Sequence, residues 1–143
     1  MEPDPLFQIV NTMALAGWIV LLGSPLAPRF ANLASGLAVP VLLAIAYTGI
    51  VLGHWTSAQG GFDSLANVAL LFENRWMLLA GWIHYLAFDL FVGGWIVRSA
   101  RDARIPFALV APCLALTFLF GPAGFLAFSA LRAGVARPFP ANA

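Results

Sequence analysis

The chain has 143 residues, of which 62% are hydrophobic and 9% charged, and its net charge is +1. Water-soluble domains run nearer roughly half apolar and a quarter charged, so the composition excludes one and points to a membrane protein. It also excludes nucleic acid as a partner, because the basic residues are scattered at helix ends and not clustered on a face. Each helical crossing takes about 20 residues plus its connection, so one membrane domain spanning 1–143 is expected.

The first apolar stretch, Leu6 to Gly23, follows Glu2 and Asp4 and lacks a basic leader, so it reads as a retained span and not a cleaved signal. "SPLAPR" breaks it with two prolines and places Arg29 at the interface. A second span covers residues 33–53, with Pro40 inside as a tolerated kink. His54 and Trp55 follow at the interface.

"TSAQGGFDSLANVALLFENR" is too polar to cross. Phe62, Leu65, Ala69 and Phe72 recur in it at helical spacing, which predicts a short interfacial helix capped by Asp63 or Ser64 and lying in the headgroup plane. The alternative is an ordinary loop. The third span runs over 76–97 with Trp76 and Trp95 as interface anchors, and the fourth over 106–131 with Pro112 and Pro122 inside. Residues 132–143 form an unstructured tail on this reading. The predicted fold is therefore all-α, an integral membrane four-helix bundle with a short interfacial helix between helices two and three.

Four crossings put both termini on one side. The short turns opposite carry Arg29, Arg98, Arg101 and Arg104, while the terminal side carries Arg75, Arg132 and Arg137, so the positive-inside count leans slightly toward cytoplasmic turns. All seven basic residues are arginine, a usage that suits a GC-rich bacterial gene and a bacterial inner membrane. Cys113 stands alone in an apolar run, so no disulfide framework forms.

Within the third span, "GWIHYLAFDLF" carries His84 and Asp89. At 1.5 Å per residue they lie roughly 12 and 20 Å beyond its start, inside the hydrocarbon. Five residues turn a helix by about 140°, so the two side chains point toward different neighbours. Arg75 shares the azimuth of Asp89 but sits about 21 Å away along the axis and cannot be its counter-ion. Tyr85 and Gly93 are the helical neighbours of Asp89, and Thr117 and Cys113 of the fourth span bracket its depth. Asn11, Tyr47, Thr48 and "FGPAG" at 120–124 fall near the level of His84, and Pro122 leaves the carbonyl of Phe118 without a donor. His84 is expected to face this polar layer.

An ionisable residue inside a membrane is a functional-site hypothesis by default. The plainer reading makes both residues hydrogen-bonded glue between helices, each bond worth about 1 kcal/mol. The two histidines, His54 and His84, differ in depth and do not suit axial ligation of one haem. No ligand spacing for a metal is visible, and no cofactor is expected. Trp82, Tyr85 and Phe88, together with Phe91, suit the wall of a long planar ligand, or else ordinary packing and lipid contact. Gly81, Gly93 and Gly94 allow close helix approach.

"LLAGWIHYLAFDLFVGGWIVRSARDARIP" followed by "CLALTFLFGPAGFLAF" resembles the abscisic-acid-deficient, or neoxanthin synthase-like, family of small four-helix membrane proteins. The likeness is strongest from Leu78 to Phe128, where Trp82, His84, Asp89, Leu90, Phe91, Gly121, Pro122 and Gly124 match the family pattern. The family often has an arginine where this chain has Gly94. Plant members are implicated in converting violaxanthin to neoxanthin, so the resemblance implies opening of an epoxide to an allene. That chemistry needs an acid at the epoxide oxygen and a base for a polyene proton, roles the resemblance gives to Asp89 and His84, while the aromatic stripe offers Trp82, Tyr85 and Phe88 to bind the substrate. A non-catalytic accessory or pigment-binding protein is the alternative, and a channel protomer would need further copies to enclose a pore. The partners expected are a lipophilic small molecule, membrane lipids and, as an open alternative, a second copy of the chain.

Overall fold

A computed structural model describes residues 2–135, and every regular element among them is helical. We number these α1 (Asp4–Leu22), α2 (Pro28–Ser57), the short α3 (Leu65–Glu73), α4 (Arg75–Asp102) and α5 (Phe107–Val135). All but α3 are long and apolar enough to cross a membrane. Large apolar side chains stand all over the outward surface, Leu26 at 92% and Leu52 at 79% exposure among them. Lipid accommodates such a surface and water does not, which is compatible with an integral membrane protein.

The most apolar window of α4 is 56% buried, against 22–33% for the other long helices, so α4 is the central element. Asn74 starts it by accepting the amides of Trp76 (2.9 Å) and Met77 (3.3 Å). Arg104, with a left-handed φ of 55°, ends it ahead of Pro106. α2 begins earlier than its hydropathy suggests because Pro28 supplies a preset φ and no N–H at the first turn. Proline at position 40 has no amide for the carbonyl of Gly36, and the helix answers with a π-helical turn over Ala34–Ala38 in place of a simple kink. That turn brings Ser35 into the core, where its hydroxyl donates to the carbonyl of Gly17 at 2.7 Å. Here α2 and α4 touch backbone to backbone, since a Cβ on Gly94 would lie 2.7 Å from the Cα of Gly36.

Residues 65–73 form a helix, not a loop. Ser64 is the cap, accepting from the amide of Asn67 at 3.2 Å, while the Asp63 carboxylate takes the Asn67 side-chain amide at 2.9 and 3.0 Å. Phe62, Leu65 and Ala69 face outward and Leu71 inward, while the Phe72 ring lies over Gly81 of α4. The Asn67 amide holds Asp63 below its ordinary value of 3.8. A carboxylate depressed on folding stabilises fully above its unfolded value and ceases to do so as pH falls through its own lower one. Exchange protection of the Val68 amide, corrected for intrinsic rate, should therefore be flat from neutral pH down to 3.8 and weaken only below it. Weakening that starts near neutrality would contradict this bracing.

The last apolar stretch departs most from a simple span. It is helical past Leu131 to Val135, so the first residues of the expected tail belong to the helix, and 136–143 lie outside the described residues. At Phe120 the backbone leaves the helical region (φ −145°, ψ 59°), dividing α5 into two arms. The first arm runs antiparallel to α4. It starts with Phe107 and Val110 near Val97 and Ala100, and it ends with the carbonyls of Phe118 and Leu119 at Tyr85.

Beyond the break the order reverses. Gly121 lies against Asp89, and Phe125 and Phe128 pack on Trp95 at 5.5 and 5.6 Å between ring centres. Rising residue numbers in this arm now accompany rising numbers in α4, so the second arm returns toward the end where the first began. Gly124 meets the backbone and hydroxyl of Thr117, residues that a continuous helix would hold about 10 Å apart. Phe128 joins Val110 and Leu114 in one buried cluster. Trp95, expected as an interface anchor, is half-buried and serves as the surface on which the second arm rests.

Candidate functional site

Asp89 and the fold-back of α5 form the most unusual polar arrangement in the molecule. Asp89 is 8% exposed, and one carboxyl oxygen, Oδ2, is buried without a hydrogen-bond partner. The carboxyl group lies directly over Gly121, where any side chain would collide with it. Gly121 opens the second arm, whose first amides lack intrahelical acceptors. The carboxyl group therefore sits beside the first residue of a half-helix.

Tyr85, one turn before Asp89, completes this cluster. Its hydroxyl donates to the carbonyl of Leu119 at 2.9 Å and reaches that of Phe118 at 3.4 Å, and it lies close to the Asp89 carboxyl. The carbonyl of Phe118 is the one Pro122 deprives of a donor. That of Leu119 is freed by the break at Phe120, which no residue pattern announces.

Trp82 stacks on Tyr85 with 5.2 Å between ring centres and an interplanar angle of 19°. Its indole N–H donates to Asn11 Oδ1 at 3.0 Å, and the Asn11 amide donates to the carbonyl of Phe7 at 2.6 Å, so α1 fixes the ring. Two grooves meet at Trp82. One, of about 340 Å³, lies between Asn11, Leu15, Trp82, Tyr85 and the tip carbonyl residues Phe118 and Leu119. The other, of about 350 Å³, extends past Phe7 and Leu78 to Arg75 and Asp4. Arg75 there holds Glu2 (3.0 Å) and Asp4 (2.7 Å). These pairs are exposed and contribute little to stability, about 0–1 kcal/mol, but they place charge in this groove. From Arg75 to Tyr85 the two grooves, with Trp82 as their shared wall, span about 15 Å along α4.

The remaining residues singled out in the sequence lie elsewhere. As the roughly 140° offset requires, His84 does not share the Asp89 face. It is exposed, stacked on Phe88 (4.7 Å, 24°) and near Tyr47 of α2 (5.7 Å). Of the polar layer it is expected to face, Asn11, Tyr47, Thr48 and 120–124, His84 meets Tyr47, while Asn11 bonds Trp82 and Tyr85 takes the carbonyls of Phe118 and Leu119. Phe88 accompanies His84 and is not in the Trp82 groove. Among the described residues no three His, Cys, Asp or Glu side chains gather.

A family model described as ABA DEFICIENT 4-like matches residues 5–128. No curated protein and no solved structure matches the chain.

Proposed function

The chain belongs to the ABA DEFICIENT 4-like family, and from that premise we propose that it is an integral membrane protein that holds a carotenoid or related isoprenoid along the Trp82 groove. The observation that carries this reading is a pair of grooves that share Trp82 as a wall. One holds the charged pair Arg75 and Asp4, and the other carries the Trp82–Tyr85 stack to the polar tip of α5. A flat polyene gains by lying on aromatic faces, and its oxygenated end ring finds a hydroxyl and carbonyls at the tip.

On this reading the chain crosses the bilayer three times, and α5 is a re-entrant hairpin whose tip closes the inner end of the groove. Each arm is about 20 Å long, shorter than a hydrocarbon core of about 30 Å. The irregular backbone at the tip is sheltered by α4, which is the condition for such backbone at membrane depth. The outward apolar stripe of α3 suits a place in the headgroup plane.

A second reading, acid catalysis, is favoured by the unpartnered oxygen of Asp89. Asp89 stands behind Tyr85 and would act on a bound ligand through that hydroxyl. His84, on another face, would not be the base for the same ligand.

Purification from a carotenoid-producing host tests both. Wild-type protein should carry pigment, and Trp82→Ala should retain about one-tenth as much, since removing a stacked aromatic costs roughly 1–2 kcal/mol. Pigment carried equally by both would end the groove reading. Asp89→Asn that binds pigment but no longer alters it would establish catalysis, and identical pigment from the two proteins would leave binding alone.

A further inference from the structure

A second groove lies on the opposite side of α4, against α2, and its upper end holds an arginine without an acidic partner. Arg98 is half-buried, with its guanidinium folded over Gly36, where a Cβ would come within 2.6 Å of Nη1. It makes one hydrogen bond, to Asn32 Oδ1 at 2.8 Å. The ion pairs among the described residues are those of Arg75, so the Arg98 charge is met by no carboxylate there. A guanidinium has five N–H donors in a planar fork suited to carboxylate and phosphate oxygens, and its partial desolvation makes an anionic partner favourable.

Beneath Arg98 the surface changes character. A cavity of about 260 Å³ bounded by Arg98, Asn32, Gly36, Leu37 and Phe91 adjoins another of about 260 Å³. Leu37 and Phe91 line both, and the lower cavity is walled only by apolar side chains, Pro40 and Phe88 among them, ending near His84. The π-helical turn and Pro40 form the α2 wall, and π-turns of this kind recur at functional sites. From Arg98 to Phe88 the slot is about 15 Å long, half of a hydrocarbon core of about 30 Å. Its length is that of one leaflet.

We propose that this face binds an anionic phospholipid, its phosphate on Arg98 and Asn32 and one acyl chain in the slot past Leu37, Phe91 and Phe88. Charge complementarity selects a net-negative headgroup. Arg29, Arg101 and Arg104 cluster at the same end of the bundle, and Asp102 is the acidic residue in that turn. The site is separate from the Trp82 groove and stands whether or not that groove holds an isoprenoid.

Native mass spectrometry of the full chain in detergent tests it, with phosphatidylglycerol and phosphatidylcholine of identical acyl chains supplied together, and glycerol phosphate as the headgroup alone. Wild type should retain phosphatidylglycerol preferentially and glycerol phosphate not at all. Equal retention of the two lipids, or retention of glycerol phosphate, would overturn the proposal, and neither result depends on a variant folding. Arg98→Gln should weaken phosphatidylglycerol retention roughly tenfold to a hundredfold, the usual weight of a hydrogen bond to a charged group. Phosphatidylcholine, whose ammonium offsets its phosphate, should lose less, and Arg98→Lys should restore part of the loss. Ala44→Trp, which fills the lower cavity alone, should reduce phosphatidylglycerol retention with the headgroup site intact. Undiminished retention by Arg98→Gln would also overturn it.

Discussion

Gly124→Ala is expected to destabilise the protein by about 3 kcal/mol or more, while Gly49→Ala leaves it no less stable than wild type. A Cβ at Gly124 would strike the backbone nitrogen and Cα of Thr117 as well as its hydroxyl. Backbone atoms cannot step aside by a rotamer change, so the two arms of α5 would have to separate. Their separation would lift Phe128 from the buried cluster and loosen the Trp95 contacts. Gly49 is also helical, but nothing lies within 4 Å of the corresponding position. There alanine should gain up to about 1 kcal/mol from its helical preference. Detergent-denaturation midpoints of the two variants decide the matter. Equal stabilities would mean that Gly124 and Thr117 are not in contact and that α5 is straight.

The second large effect concerns sidedness. A hairpin that returns places Arg132 at the same end of the bundle as Arg29, Arg98, Arg101 and Arg104, leaving Arg75 opposite, where Glu2 and Asp4 engage it. The positive-inside bias then becomes pronounced where a fourth crossing would leave it nearly balanced. Reporter fusions to the C-terminus and to the turn at Arg104 should report the same side, the cytoplasm, and a fusion at the N-terminus the other. A C-terminus found on the side of the N-terminus would show that α5 crosses. This experiment does not depend on any ligand, so it separates the topology from the proposed use of the groove.

His84 and Asp89 show how far the linear chain could be read. Their divergence follows from the pitch of an uninterrupted helix, so it was legible. Which helix each would meet was not, because azimuth acquires meaning only once neighbours are placed. Tyr85 illustrates the same limit. Its position one turn from Asp89 and the carbonyl orphaned by Pro122 are visible in the residues, yet their meeting depends on where α5 turns. Trp95 reads equally well as a headgroup anchor or as a packing surface until a second arm is found lying on it.

Composition and spacing by themselves determined that this chain is helical and apolar and where the connections between its long helices fall. These are properties of each segment measured against solvent, and transfer free energy is local. The tertiary structure alone decided that α5 doubles back, because both arms are equally apolar and one residue, Phe120, leaves the helical region of backbone space. Hydropathy records how much surface leaves water, not the direction in which the chain travels once it has left.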